Sequence, residues 1–238
     1  MVLEKLIVGG LYCNCYLVGS DRTKEIFIVD PGAEPDVIIQ KVNMLNLKPV
    51  AIVLTHAHTD HTRALRKVRD EFNLPLYYSE KEYNLFIRIK ADNWLSEGTI
   101  LTIDDITFHV IETGGHSPGG ICFYTKDIKG FQSVSYDGIL FTGDTLFRRS
   151  MGDTHTDAGA TMDDSLLCEN IRNKILYNPE LTDNYLILAG HMGLTTIGDE
   201  KRLNPFGQKF LTEQDWNKND YYGKDIKKIL KTPPEERP

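Results

Sequence analysis

The segment Thr55-His56-Ala57-His58-Thr59-Asp60-His61 places three imidazoles and one carboxylate within six residues. It follows the apolar run Pro49-Val50-Ala51-Ile52-Val53-Leu54, which reads as a short buried strand, so the cluster falls in the turn at that strand's C-terminal end. Such turns are where α/β proteins commonly carry their chemistry. In extended backbone, residues two apart point the same way, so His56 and His58 can present ring nitrogens to one point. Asp60 and His61 open the helix that follows, whose change of direction aims them elsewhere. One short segment can therefore feed two adjacent metal sites. Imidazoles with a single carboxylate suit zinc first and iron or manganese next, whereas an all-oxygen set would have pointed to calcium or magnesium. The competing reading is a solvated polar turn with Thr59 or Asp60 as an N-cap. Against it stands the gathering of three of only seven histidines at one place.

A dinuclear site needs further ligands, and three more strand ends offer them. Ile106 to Ile111 leads into the glycine-rich turn Glu112-Thr113-Gly114-Gly115-His116-Ser117-Pro118-Gly119-Gly120. Gly138-Ile139-Leu140-Phe141-Thr142-Gly143 ends on Asp144, and Tyr185-Leu186-Ile187-Leu188-Ala189-Gly190 ends on His191. Glycine beside each ligand lets the backbone turn sharply and come close to a metal. Singly, Asp144 could be a turn cap, and His116 or His191 a satisfied buried imidazole. A strand followed by a ligand, four times over, favours the shared site.

With these residues in place, the chain resembles the metallo-β-lactamase fold superfamily, whose signature is His-x-His-x-Asp-His followed by a distant His, Asp and His. The likeness spans residues 1–207 and implies that His56, His58 and His116 bind one ion, Asp60, His61 and His191 a second, and that Asp144 bridges them. Within the superfamily the chain is similar to the glyoxalase II-like hydrolases, through Asn14-Cys15-Tyr16-Leu17, Asp30-Pro31-Gly32, Gly115-His116-Ser117-Pro118-Gly119, Thr142-Gly143-Asp144-Thr145-Leu146-Phe147 and Asn204-Pro205-Phe206. The resemblance implies a metal-dependent hydrolase that cleaves a small-molecule thioester such as S-2-hydroxyacylglutathione with a metal-bridging hydroxide, Asp60 holding one ion and orienting the nucleophile. Arg148, Arg149 and one of Lys201 or Arg202 are candidates to grip a substrate carboxylate, and Tyr12 and Phe147 to line the groove. His155 is the extra histidine that could touch substrate.

The departures are local. Thr62-Arg63-Ala64 follows His61 where the family usually has glycines, Asp153 stands where an arginine is expected between Gly152 and Thr154, and Met192 interrupts a Gly-His-Gly pattern. The residues after Asn204-Pro205-Phe206 are too few for the helical glutathione-gripping domain of larger glyoxalase II proteins. Two other activities keep the same fold: a mononuclear iron persulfide dioxygenase using His56 or His58, His116 and Asp144, and a hydrolase of lactones, β-lactams or phosphodiesters. A non-enzymatic metal-binding protein is a reading from another class.

The elements that must carry these residues read as strands near 3–8, 14–18, 25–29, 50–54, 76–78, 106–111, 121–125, 138–142 and 185–189. Helices are expected near 35–46, 62–72, 80–89 and 163–176, with a hairpin excursion over 126–137. Strands and helices so mixed point to an α+β chain with helices outside a two-sheet core, and the resemblance specifies an αββα four-layer sandwich. A chain of 238 residues, 41% hydrophobic, can bury one sizeable core. We therefore expect one catalytic domain over 1–207 and a short extension over 208–238, partly helical near 224–231. The net charge of −7 offers nucleic acid no general attraction. No segment approaches membrane-spanning length, and a cytoplasmic protein is expected. Cys13, Cys15, Cys122 and Cys168 read as reduced structural thiols, and His109, alternating with Phe108 and Val110, as a strand position facing solvent.

Overall fold

The computed structural model describes residues 1–154 and 163–207. The first sheet comprises β1 (Val2–Val8), β2 (Cys13–Gly19), β3 (Glu25–Val29), β4 (Lys48–Val53), β5 (Leu76–Tyr78) and β6 (Asn93–Trp94), hydrogen-bonded in that order. After β7 (Ile100–Ile103), β8 (Ile106–Glu112) and β9 (Ile121–Thr125), the chain makes a small hairpin of β10 (Gly130–Phe131) and β11 (Val134–Ser135), then β12 (Gly138–Gly143). A second hairpin, β13 (Leu146–Phe147) and β14 (Ser150–Met151), precedes β15 (Tyr185–Ala189) and β16 (Thr195–Thr196). The second sheet runs β16-β15-β12-β9-β8-β7.

Strand residues alternate between two faces, and here both faces are covered, which is why the strands read as unbroken apolar runs. Along β2, Tyr16 and Val18 join the layer between the sheets, while Cys15 and Leu17 face outward onto helices α1 (Pro35–Met44) and α3 (Leu65–Phe72) through Ile38, Val42, Leu65 and Val68. Along β12, Ile139 and Phe141 point to the middle layer and Leu140 to the opposite outer one. There Leu167 of α4 (Asp164–Asn170), Ile171 and Ile175 of the π-helical turn that continues it, and Ile197 of α5 (Ile197–Leu203) close the fourth layer. Three apolar seams thus hold an αββα sandwich. Each buried large aliphatic side chain contributes about 1.5–3 kcal/mol, so the frame stands on packing.

Three expectations are corrected. No helix spans 80–89: only a 3-10 turn, Glu80–Glu82, forms, because Asn84 takes a left-handed backbone (φ 65) and Tyr83 bridges Ile87. Tyr83, Phe86 and Ile87 pack as separate anchors on the helix-side core instead of forming a helical stripe. The helix expected at 62–72 is divided into α2 (Thr59–Thr62) and α3, with the Ala64 amide between them donating to the Pro31 carbonyl. Helix α5 was not anticipated, although Thr196 caps it by accepting from the Asp199 amide. All four cysteines are free and buried. His109 is half-buried and stacks on Tyr124. No helix among the described residues is long and apolar enough to cross a membrane. The helix expected at 224–231 and the whole extension from 208 lie outside the described residues.

Candidate metal centre

Strands β8, β12 and β15 run the same way, since β12 pairs parallel with β15 and β9 pairs antiparallel with both β8 and β12. Their C-terminal ends meet the end of β4 along one rim of the sandwich. Beyond β4 the chain stays extended through His58 (φ −60, ψ 152) and then turns into α2 at Thr59. That turn gives His58 and Asp60 to different ligand groups, while His56 and His61, with ring centroids 4.1 Å apart, share one with Asp144. Gly190 allows the loop after β15 to come in close, because a Cβ there would collide with the Asp144 carboxylate and the His61 ring.

All seven expected side chains converge. Their ligand atoms form three overlapping groups within 4.8 Å: His56, His58 and His116; His56, His61 and Asp144; Asp60, His61 and His191. His58 Nδ1 and His116 Nε2 face one another at 3.0 Å. Asp144 is central, with its oxygens 3.3 Å from His61 Nε2, 3.4 Å from His191 Nε2, 3.5 Å from His116 Nε2 and 3.9 Å from His56 Nε2. Asp60 Oδ2 lies 3.2 Å from His191 Nε2.

The outer ring nitrogens are held from behind, which directs the inner ones. Asp30 Oδ2 faces His61 Nδ1 at 3.1 Å and accepts from the Thr55 hydroxyl at 2.6 Å, while Oδ1 accepts from the Thr55 amide at 2.8 Å. His116 Nδ1 meets the Asp153 carbonyl at 2.7 Å and His191 Nδ1 the Leu11 carbonyl at 3.0 Å. Carboxylates and carbonyls behind ligating histidines fix the tautomer and ring orientation. Asp30 was given no role from the residues alone, yet it directly follows β3 in the same pattern of a strand followed by a carboxylate.

Burial drives the His56 pKa well below its ordinary value and that of His58 down to about 4, so both rings are neutral and offer lone pairs. For His61 and His191 burial acts in the same direction, but Asp144, with Asp30 at His61 and Asp60 at His191, outweighs it and lifts His191 to about 9. Burial also opposes ionisation of Asp60 and Asp144, and the facing imidazoles overcome it, holding both below the usual carboxylate range. Nε2 of His56 is buried with no hydrogen-bond partner, as is Nε2 of His58. An unsatisfied buried acceptor costs about 1–3 kcal/mol, and a coordinated cation would recover it. Neutral imidazoles converging on a carboxylate fit divalent transition ions.

The cluster floors a cleft of about 720 Å³ whose walls include Leu11, Tyr12, Phe147 and Met192. Tyr12 and Phe147 therefore sit where the sequence placed them. Tyr12 and Met192 hold left-handed backbones (φ 56 and 66) with exposed apolar side chains at the mouth. Arg149 is a correction: its guanidinium is bound to the fully buried Glu200 at 2.5 Å and to Thr195 at 3.3 Å, which commits it to the fold. Arg148 is exposed beside Gly193, next to Met192 at the rim. Lys201 pairs with Asp183 and Arg202 with Asp199, so both are engaged outside the cleft. His155 lies outside the described residues. A second recess of about 410 Å³, lined by Phe27, Tyr77, Trp94 and Leu101 among others, has no histidine, cysteine or carboxylate in its wall.

Comparison with known proteins places this geometry. The family model of the Metallo-beta-lactamase superfamily matches residues 8–191. The hydroxyacylglutathione hydrolase GloC of Haemophilus influenzae is 34% identical over 223 residues, covering 87% of this chain and 98% of that protein. Among solved structures, BLEG-1 B3 metallo-beta-lactamase superposes with a TM-score of 0.75 at 34% identity, covering 87% of this chain and 99% of the other. TTHA1623 in a di-iron-bound form gives a TM-score of 0.72 at 29% identity, covering 85% and 99%.

Proposed function

This chain belongs to the metallo-beta-lactamase superfamily, and from that footing we propose that it is a dinuclear thioester hydrolase acting on S-2-hydroxyacylglutathione or a close analogue. At the coarser level it is a metallo-hydrolase. The observation that carries the reading is the convergence of six further ligand side chains around Asp144. Similarity to GloC across nearly the full length of both chains supports the thioester.

His56, His58 and His116 would hold one ion, Asp60, His61 and His191 the other, and Asp144 both. A pair of divalent cations supplies Lewis acidity for a carbonyl oxygen and a water that ionises near neutral pH. The donor set suits zinc, with iron the alternative that the di-iron form of TTHA1623 supports. Asp60, on the cleft wall, accepts a hydrogen bond from the attacking water and fixes its direction toward the acyl carbon. Water contributes hydroxyl to the acyl carbon, the carbon–sulfur bond breaks, and the departing thiolate takes up a proton. Leu11, Tyr12, Phe147 and Met192 cover the acyl group and exclude bulk water. Arg148, exposed at the rim, meets a carboxylate of the thiol carrier.

The test is elemental analysis of the purified chain together with a hydrolysis screen of glutathione, coenzyme A and small aryl thioesters. Two ions per chain and turnover of a glutathione thioester are expected. No thioester turnover by fully loaded protein would overturn the assignment, as would one iron per chain with oxygen uptake on glutathione persulfide. The 34% identity to BLEG-1 favours a β-lactam as the second substrate class to include.

A further inference from the structure

Glu82 ends the 3-10 turn that follows β5, and its side chain is fully buried. Backbone amides from two ligand-bearing loops satisfy its carboxylate. Oε2 accepts from the Ala57 amide at 2.9 Å, and Oε1 accepts from the Gly119 amide at 2.6 Å. Ala57 lies between His56 and His58, and Gly119 lies three residues beyond His116. One side chain thus ties together the two loops that supply all three imidazoles of the first ligand group. The approach is close: a Cβ on Gly119 would lie 2.8 Å from Glu82 Cγ and 2.9 Å from Ser79 Oγ, so only glycine leaves room for that amide to reach the carboxylate. From the same loop Phe86 packs edge-on against the His58 ring, with centroids 4.6 Å apart. The second ligand group is tied differently, through Asp30 behind His61 and the Leu11 carbonyl behind His191.

We propose that Glu82 is a positioning residue that sets the spacing between the His56–His58 loop and the His116 loop, and thereby governs the affinity of the first ion site while leaving the second alone. The inference rests on the metallo-hydrolase reading. A carboxylate is suited to the task because both its oxygens only accept, and charge-assisted bonds to amides are stronger than neutral ones. Glutamine at this position would keep one acceptor and turn an NH₂ donor against an amide N–H.

The test is a competition titration of the full chain with zinc and a chromophoric chelator, comparing wild type, Glu82→Gln, Glu82→Ala and, as a control, the exposed Glu80→Ala. Wild type and Glu80→Ala are expected to take two ions with the same affinities. Glu82→Gln and Glu82→Ala should hold one ion as wild type does and bind the other about 10–100-fold more weakly, the scale at which groups behind metal ligands act. Unchanged affinities at both sites in the Glu82 variants would overturn the clamp, and so would an equal loss at both, since that is the signature of a merely structural residue. Should Glu82→Ala fail to fold, Glu82→Gln, nearly identical in volume, decides between the same outcomes. A wild-type chain that takes up no divalent ion would overturn the metallo-hydrolase reading and the clamp with it, a result distinct from wild type and variants alike holding two ions.

Discussion

His56, His58 and His116 on one side of Asp144, and Asp60, His61 and His191 on the other, differ in composition by one carboxylate, and they differ in electrostatics through all the carboxylates that face their rings. In the first group burial dominates, and His56 and His58 are held neutral. In the second, Asp60 and Asp144 lie against His191, and Asp30 and Asp144 against His61, so the same kind of ring is drawn toward its charged form. The supports differ as well. Glu82, accepting from two loop amides, and the Asp153 carbonyl behind His116 steady the first group, whereas the Asp30 carboxylate and the Leu11 carbonyl steady the second. Neighbouring ion sites built from one short motif can therefore be tuned separately, through what stands behind each ring.

The largest expected effect comes from the group that both halves share. Asp144→Ala should lower thioester turnover by at least about 100–1,000-fold, comparable to losing a principal electrostatic group, and reduce the content of both ions. Circular dichroism should remain close to wild type, because the three apolar layers do not run through the centre. Normal turnover in this variant would count decisively against a shared centre.

Next, His58→Ala and His191→Ala should divide the halves. Each is expected to cost one ion per chain, measured by elemental analysis after dialysis, and to leave the other in place. Loss of both ions in either variant would show the halves to be one cooperative unit.

A smaller effect is expected behind the ligands. Asp30→Asn should weaken the ion held through His61 by about 10–100-fold, read by chelator competition, and affect the first site less, since it reaches His56 only through Thr55. Paired with Glu82→Gln it forms a reciprocal experiment.

The two adjacent arginines sharpen the comparison at the rim. Arg149→Ala leaves the buried Glu200 without its cation and should lower stability by about 3–5 kcal/mol in urea unfolding. It should also loosen the hairpin that leads to Asp153, whose carbonyl holds His116. Arg148→Ala, at an exposed position, should leave stability alone and raise KM for an anionic thioester by up to about 5-fold, the reach of an exposed ion pair. Equal effects from the two would contradict their different surroundings.

Much of this was legible along the chain, for a local reason. Ligands at strand ends announce themselves by sequence alone, since an apolar run followed by glycine and a histidine or aspartate fixes both the element and the position of the side chain at its rim. The strands that could be read were those of five or more residues with continuous apolar faces, together with the three-residue β5, whereas the four-residue β7, with alternate residues exposed, was missed. β6, β13, β14 and β16, two residues each, are too short to show any periodicity. Glu82 was hidden for a different reason: in the expected helix over 80–89 it would have been a surface charge, and only the left-handed Asn84 and the packing of Phe86 and Ile87 put it in the interior.

What the sequence by itself determined is the inventory: which side chains can donate to a metal, that each follows a strand, and that the strands are buried on both faces. Tertiary structure alone decided which backbone groups stand behind them. The Leu11 carbonyl meets His191 across 180 residues, and Arg149 meets Glu200 across 51. Those meetings depend on strand order and sheet register, which arise from the packing of layers as a whole and leave no trace in any local run of residues.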